Sequence, residues 1–234
     1  MKTLKKIVFT GLLALIACAG VAQAQELYKD EKAPMHERIM DLLSRLTVEE
    51  KISLLRATSP GISRLDIPKY YHGNEALHGV VRPGRFTVFP QAIGLAATWN
   101  PEAALLYGQS IGEEARYRNK TVLLGPGVNI YRTPLNGRNF EYMGEDPYLA
   151  GKMVVPYVQG VQQNGVAACV KHYALNNQEV NRNTTNAIVD DRALYEIYLP
   201  AFKAAVQEGH AWSIMGAYNL YKDQHCCHNQ YLLN

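Results

Sequence analysis

The sequence has almost no excess of charge of either sign. Its 234 residues include 24 Lys and Arg against 21 Asp and Glu. Three of the lysines fall within residues 1–24, which contain no acid, so the rest of the chain is neutral on balance. A neutral chain without a basic stripe displaces few counterions from a phosphate backbone. We therefore expect neither nucleic acid nor an anionic membrane surface as a partner, and favour a small neutral ligand.

Cysteine is scarce, with four residues in the whole chain. Only Cys169, Cys226 and Cys227 follow residue 25. The adjacent pair would strain a mutual bridge and Cys169 lies in an apolar run, so the pattern does not indicate a disulfide framework. The string HCCH at 225–228 suggests zinc, but four consecutive side chains point in different directions and cannot converge on one tetrahedral ion. We predict no metal and no cofactor.

Long hydrophobic runs are missing after residue 25. The one long run, residues 7–22, follows three lysines and ends in the small-residue triplet AQA. This pattern is typical of a secretory signal peptide, and the run is short for a membrane span. We predict a signal peptide over residues 1–24 and export to the periplasm or the exterior of a bacterium. A lipid anchor at Cys18 is the second interpretation.

Repeats, low-complexity tracts and linkers are also missing, so residues 25–234 are predicted to form one domain. Within it, strands are predicted at 92–98, 121–124, 166–173 and 211–217, and helices from Thr47, Pro101, Tyr148 and Asp190 or Asp191. Thr47 and Glu50 have the spacing of a capping box, and Asn100-Pro101 is typical of a helix start. This alternation predicts an α/β protein with a parallel sheet, either a barrel or an open doubly wound sheet.

Polar segments cluster directly after the predicted strands, which helps to choose between these folds. In a (β/α)8 barrel, residues at the carboxyl ends of several strands converge on one site, whereas a nucleotide-binding sheet has a glycine-rich phosphate loop. The single G-x-G of this chain is GPG at 125–127, where Pro126 removes an amide donor that a phosphate cradle needs. The pattern favours the barrel.

Seven short strings carry a specific resemblance. They are NEALHGV at 74–80, FPQ at 89–91, GPGVNI at 125–130, PLNGRNFE at 134–141, GEDP at 144–147, KHY at 171–173 and MGAYN at 215–219. In this order and spacing they resemble glycoside hydrolase family 3, which contains β-glucosidases and β-xylosidases. The similarity runs from about residue 36 to the end of the chain. It implies a TIM-like (β/α)8 barrel, followed in the family by a second α/β domain, and a retaining mechanism.

The resemblance also implies how much of the family's enzyme this chain holds. The nucleophile is an aspartate on a later barrel strand and the acid/base usually comes from the second domain, so both are expected beyond Asn234. Residues 25–234 would then be an incomplete N-terminal barrel domain, truncated before the nucleophile strand and inactive alone. The expected substrate is a small oligosaccharide or glycoside.

Six substrate-binding residues are implied by the same resemblance. They are Glu75, Arg138, Lys171, His172, Met215 and Tyr218. Arg138, Lys171 and His172 would donate hydrogen bonds to ring hydroxyls, Glu75 would accept at the far edge of the ring, and the last two would lie near the reacting carbon. A neutral sugar needs such charged donors and acceptors in fixed positions. We expect Lys171 and His172 to matter more for rate than for folding.

Structural alternatives exist for these residues. Arg138 and Glu141 could form a local ion pair in place of binding a sugar, and we favour this interpretation for Glu141. Lys171, at the end of an apolar strand, could extend its ammonium group to bulk water instead of a binding site. Because Lys171 and His172 are adjacent, only one of them is expected to face the interior fully. An exported, non-catalytic carbohydrate-binding protein would need the same donors, and is the alternative function.

Glu75 is a candidate determinant of which sugar is preferred. A glutamate reaches one methylene further than an aspartate, so it would fill space beside the hydroxymethyl group that glucose has and xylose lacks. Filling such a pocket discriminates by roughly 1–3 kcal/mol, so we expect β-xylosides to be favoured. His78 follows in a Glu-x-x-His pattern that lacks the second copy of a di-iron site, and we expect it to shape the loop by hydrogen bonding.

Overall fold

The computed structural model describes residues 26–81 and 84–234, which divide after Arg56 into two units. The predicted signal peptide and the lipid anchor at Cys18 lie outside the described residues. Within those residues, no helix has the length and apolar character needed to cross a membrane.

The first unit is helical. Helices α1 (Met35–Arg45) and α2 (Val48–Leu54) follow a 3-10 turn at Leu27–Lys29. The predicted capping box is confirmed, since the Thr47 side chain accepts from the amide of Glu50 and the Glu50 carboxylate accepts from the amide of Thr47. This reciprocal pair satisfies two amide groups that the start of a helix otherwise leaves unpaired.

The second unit alternates strands and helices, as the sequence predicts. Its strands are β1 (Thr58–Ser59), β2 (Tyr70–Tyr71), β3 (Asn74–Glu75), β4 (Val122–Leu124), β5 (Ala167–Tyr173), β6 (Asn186–Ala187), β7 (Ser213–Gly216), β8 (Leu220–Tyr221) and β9 (Gln224–His225). Its helices are α3 (Ala92–Ala96), α4 (Pro101–Tyr117), α5 (Pro147–Gln162), α6 (Asp191–Ala193), α7 (Pro200–Gln207) and α8 (Gln230–Leu233), with a π-helical turn at Leu194–Tyr198 between α6 and α7.

The central sheet has the order β3-β4-β5-β7, and all of its strands are parallel. Glu75 pairs with Leu124, and Lys171 pairs with Met215. These strands follow one another in chain order without the reversal that marks the switch point of a doubly wound sheet. The prediction of an α/β fold with a parallel sheet is confirmed, and the strand order agrees with the barrel alternative. The other strands form two small sheets, β1-β2 and β6-β8-β9.

The prediction of a strand at residues 92–98 was wrong, because residues 92–96 form helix α3. Its buried side chains are Ala92, Leu95 and Ala96, and this spacing of three and four residues is helical. The run is rich in alanine and has a single β-branched residue, Ile93, so local propensity also favours a helix. The strand that begins the sheet is instead β3, which is two polar residues long and carries no hydrophobic signal.

Helices α4, α5 and α7 belong to one hydrophobic core with one face of the sheet. Ile111, Val158 and Phe202 of the helices are buried with Leu123 and Val170 of the strands. The other face holds a smaller cluster that includes Val122, Ala167 and Cys169, with Met215 packed against it. The two inner strands, β4 and β5, therefore have both faces covered, and the functional side chains lie at the strand ends.

Two glycines bring α4 and α5 into backbone contact. A Cβ at Gly108 would lie 2.3 Å from the Tyr157 carbonyl oxygen, and one at Gly160 would lie 2.5 Å from the Leu105 carbonyl oxygen. We expect Gly108→Ala to lower the free energy of unfolding by about 1–3 kcal/mol, because the helices must separate. Urea denaturation measures this.

The matched control is Gly151→Ala, on the side of α5 that faces α7. A Cβ there meets its nearest atom, Cβ of Ala204, at an ordinary 3.6 Å. Alanine should be neutral or stabilising at this position, because glycine costs a helix interior roughly 1 kcal/mol. Equal destabilisation by both substitutions would contradict the close-contact explanation.

Candidate functional site

The charged residues implied by the sequence meet at the carboxyl end of the sheet. Glu75 ends β3, Lys171 and His172 lie in the last three residues of β5, and Tyr218 follows β7. Arg138 lies in the long segment after β4, directly before a 3-10 turn at Asn139–Glu141. Side chains at the ends of, or in the segments after, the four strands β3, β4, β5 and β7 therefore meet at the carboxyl edge of the sheet, as a barrel arrangement requires.

A chain of four alternating charges occupies this edge. Nζ of Lys171 lies 3.1 and 3.2 Å from the two carboxylate oxygens of Glu75, and 3.2 Å from Oε2 of Glu141. Nε of Arg138 donates to Oε1 of Glu141. The order is Arg138, Glu141, Lys171, Glu75, and each cation contacts a carboxylate.

Exposure varies strongly along this charge chain. The side chains of Lys171 and Glu141 are each 2% exposed, whereas that of Arg138 is 17% exposed and that of Glu75 is 36% exposed. The interpretation that Lys171 extends to bulk water is wrong, because its ammonium group is buried between two carboxylates. The expected ion pair of Arg138 with Glu141 is present, and Glu141 also reaches across to β5. The two ends of the charge chain, Arg138 and Glu75, are the parts that solvent and a ligand can reach.

His172 is buried beside this chain and is neutral. Its Nδ1 lies 2.9 Å from the hydroxyl oxygen of Tyr142. Burial, together with the positive charges of Arg138, Lys171 and Arg182, lowers the pKa of His172 to about 2. The imidazole therefore carries one ring proton, and can donate one hydrogen bond and accept one.

The expectation that only one of the two adjacent residues faces the interior was wrong. Lys171 and His172 are each 1% exposed. Strand β5 is irregular at this point, with a register shift between Lys171 and Tyr173. All residues of β5 from Ala167 to His172 are buried, so both faces of this strand are covered and both side chains are enclosed by the protein.

Tyr218 and Met215 differ in their access to the site. The Tyr218 ring is 44% exposed, and its centroid lies 6.3 Å from that of His172. Met215 is half-buried and packs against the small cluster of Val122, Ala167 and Cys169, on the face of the sheet away from the helices. Tyr218 thus borders the open edge of the site, while Met215 lies beside Lys171 in the strand register.

Arg182 is a further residue of the site that is not among the six implied by the family resemblance. Its guanidinium lies 4.1 Å from the centroid of the Tyr218 ring, and it pairs with Glu179 at 2.8 Å. It lies nine residues after KHY, in the polar segment that follows β5, and only this position marks it in the sequence. The Arg182 charge acts on His172, so this segment is part of the electrostatics of the site.

Two other motifs have structural positions. The carbonyl of His78 accepts from the amide of Phe89 at 2.7 Å, and its half-buried side chain lies in the loop after Glu75. In the HCCH string, Cys226 is buried and Cys227 is exposed, so neighbouring side chains face apart. Among residues 26–81 and 84–234, no group of three His, Cys, Asp or Glu side chains could hold a metal ion.

A groove of about 1050 Å³ lies elsewhere in the second unit. Its lining is mostly apolar and includes Tyr173, Phe202, Ile214 and Leu232. None of the six implied site residues lines it, so its size is no argument for placing the chemistry there.

Comparison with known proteins identifies the family to which this arrangement belongs. The model of the glycosyl hydrolase family 3 N-terminal domain matches residues 37–234. The chain belongs to glycosyl hydrolase family 3. The family's N-terminal domain is TIM-barrel-like, in agreement with the order of strands in the sheet.

Similar family 3 proteins are named for two sugars. A β-glucosidase of Bacteroides ovatus is 55% identical over 94% of this chain and 32% of its own length. A xylan 1,4-β-xylosidase of Xylanibacter ruminicola is 39% identical over 94% of this chain and 29% of its own length. The structure of β-glucosidase 3B from Thermotoga neapolitana in complex with glucose has a TM-score of 0.79 at 39% identity, covering 84% of this chain and 31% of that one. The chain thus spans about a third of the length of these family 3 relatives.

Proposed function

We propose that this chain supplies the sugar-binding part of an exo-acting retaining β-glycosidase, a β-xylosidase or β-glucosidase. Its substrates would be plant-type oligosaccharides, attacked at the terminal non-reducing sugar. The observation that carries this proposal is the charge chain Arg138, Glu141, Lys171 and Glu75 beside His172. Related family 3 proteins named as β-glucosidases and xylosidases support it.

The electrostatic balance of the site suits a neutral ligand. Two cations face two carboxylates in the charge chain, and the neighbouring Arg182 is paired with Glu179. No net charge is left to attract an anion such as phosphate. A sugar hydroxyl both donates and accepts, so it can accept from Arg138 and His172 while donating to Glu75.

We propose that the nucleophile and the acid/base lie beyond Asn234, and that residues 25–234 are part of the barrel. Retaining hydrolysis needs two carboxyl groups about 5 Å apart on either side of the glycosidic bond. Glu75 and Glu141 both contact the same ammonium group, so they do not flank an open space. Export of the protein, with cleavage after residue 24 or a lipid anchor at Cys18, is part of the same proposal.

The test assays aryl β-xylosides and aryl β-glucosides with two polypeptides. One is the present chain, and the other continues past Asn234 as the gene encodes it. We expect no turnover above a heat-killed control from the first, and hydrolysis with retained anomeric configuration from the second. Turnover by the present chain would place the catalytic carboxylates within it. Sugar binding without hydrolysis by the longer polypeptide would favour a non-catalytic carbohydrate-binding protein.

The preferred sugar is proposed to depend on Glu75, the exposed end of the charge chain. Both of its carboxylate oxygens contact Lys171, so its reach over the sugar is fixed. Glu75→Asp should open space beside the ring and shift the xyloside-to-glucoside ratio of kcat/KM towards the glucoside by about tenfold or more. Glu145→Asp, the same change at an exposed position outside the charge chain, should leave the ratio unchanged. An unchanged ratio in Glu75→Asp would remove Glu75 as the determinant.

A further inference from the structure

A buried relay of three side chains ends at His172. Nδ2 of Asn176 donates to the Tyr142 hydroxyl at 2.8 Å, and that hydroxyl lies 2.9 Å from Nδ1 of His172. All three residues are at most 1% exposed. The main chain of Asn176 is held in place, since its backbone amide donates to Oδ1 of Asn129 at 2.9 Å. Water therefore has little access to replace any member of the relay.

The direction of the first hydrogen bond determines the second. A tyrosine hydroxyl has one proton, and when an amide group donates to its oxygen that proton is free to be donated onward. We propose that Asn176 and Tyr142 are positioning residues that hold His172 as the tautomer protonated at Nε2. The Nδ1 atom then accepts from Tyr142, and the Nε2–H group is left as a fixed donor. That this donor faces a sugar hydroxyl rests on the proposed function.

The surroundings remove the two other protonation states that would disturb the relay. Burial and the nearby cations lower the pKa of His172 to about 2, so the imidazolium form, which donates from both nitrogens, is not populated near neutral pH. Burial also raises the pKa of Tyr142, so its hydroxyl keeps the proton that it donates. His172 therefore has two neutral tautomers to choose from. In the tautomer protonated at Nδ1, both Asn176 and His172 would donate to the Tyr142 oxygen, and the Tyr142 proton would have neither of them as an acceptor.

The tautomer can be read directly from the ring nitrogens. We would label the seven histidines of the full chain with 15N, identify the His172 signals by their loss in His172→Gln, and measure the ring couplings without sugar. We expect a protonated Nε2 and an unprotonated Nδ1. A protonated Nδ1 in the unsubstituted protein would overturn the proposal.

Asn176→Asp is the decisive variant, because a carboxylate only accepts. Tyr142 must then donate to Asp, and His172 must donate from Nδ1, so the tautomer should reverse. Tyr142→Phe, which removes the hydroxyl, should leave a mixture of tautomers and serves if the first variant does not fold. Tyr173→Phe is the matched control, since the Tyr173 hydroxyl donates to the Leu232 carbonyl and lies outside the relay. An unchanged tautomer in both relay variants would overturn the proposal.

Sugar affinity provides a separate measurement. Asn176→Asp should weaken the binding of xylose or glucose by about tenfold, because Nε2 changes from a donor to an acceptor. Tyr173→Phe should leave it unchanged. If the tautomer reverses in Asn176→Asp but the parent protein binds neither sugar, the proposed function is refuted and the tautomer proposal stands. If the parent binds a sugar but the tautomer does not change in the relay variants, the tautomer proposal is refuted and the proposed function stands.

Discussion

Lys171→Met is expected to lower the free energy of unfolding by about 3 kcal/mol, because it removes one partner of a buried ion pair. Methionine fills a similar volume, so the loss reports the charge. Glu141, whose side chain is 2% exposed, would keep only Arg138 as a cationic neighbour. This remaining pair places the expected loss at the lower end of the range for breaking buried ion pairs, roughly 3–5 kcal/mol.

The matched control is Lys152→Met. Lys152 pairs with Glu208 at 3.9 Å, and both side chains are about half exposed. Such surface pairs contribute roughly 0–1 kcal/mol, so urea denaturation should separate the two variants clearly. Adding Glu141→Gln to Lys171→Met should recover much of the loss, because the unpaired carboxylate is removed as well. Equal losses in Lys171→Met and Lys152→Met would contradict a buried network.

The buried ion pairs of Lys171 give it a role in folding that the sequence does not predict. The sequence places it at the end of a buried strand and predicts a larger effect on rate than on folding. The contact that adds the folding role is with Glu141, thirty residues earlier along the chain. Nothing in the sequence between Glu141 and Lys171 marks such a pair, because the two residues are brought together through Gly127, which forms bridges with both Tyr142 and Lys171.

Elements with local signals were predictable. Helices α4 and α5 begin at Pro101 and Pro147, and the preceding Asn100 and Asp146 accept hydrogen bonds from the first turn. Caps of this kind depend on neighbours in sequence, so a single sequence contains the information. Strand β5 was predictable because its short apolar run follows Gly165 and contains the β-branched Val166 and Val170, signals that favour a strand over a buried helix.

Elements that depend on distant contacts were not predictable. Strand β3 has two residues and is a strand only because β4 pairs with it. The stacking of Arg182 on Tyr218 joins a loop to the end of a later strand, and the relay from Asn176 to His172 runs through Tyr142, which lies before helix α5. The sequence therefore indicates which residues have the chemistry, while the partners that orient them come from the fold.

A loss of stability in acid is expected from His172. Its pKa is lowered to about 2 in the folded protein by burial and by the nearby cations Arg138, Lys171 and Arg182, against 6.5 for an ordinary histidine. Below about pH 6.5 the unfolded chain binds a proton that the folded chain does not bind, so unfolding is favoured. The contribution of His172 to stability is fully present above that pH and is lost as the pH falls towards 2. At pH 5 the loss amounts to about 2 kcal/mol.

The measurement is the free energy of unfolding from pH 8 to pH 5 in the parent protein and in His172→Gln. The parent should lose about 2 kcal/mol more than the variant over this interval, because glutamine does not titrate. His36→Gln is the control, since the side chain of His36 on α1 is exposed and its substitution should leave the slope unchanged. Parallel slopes for the parent and His172→Gln would mean that the folded protein protonates His172. In that case Nδ1 could no longer accept from Tyr142, and the site would have two histidine donors in place of one fixed donor.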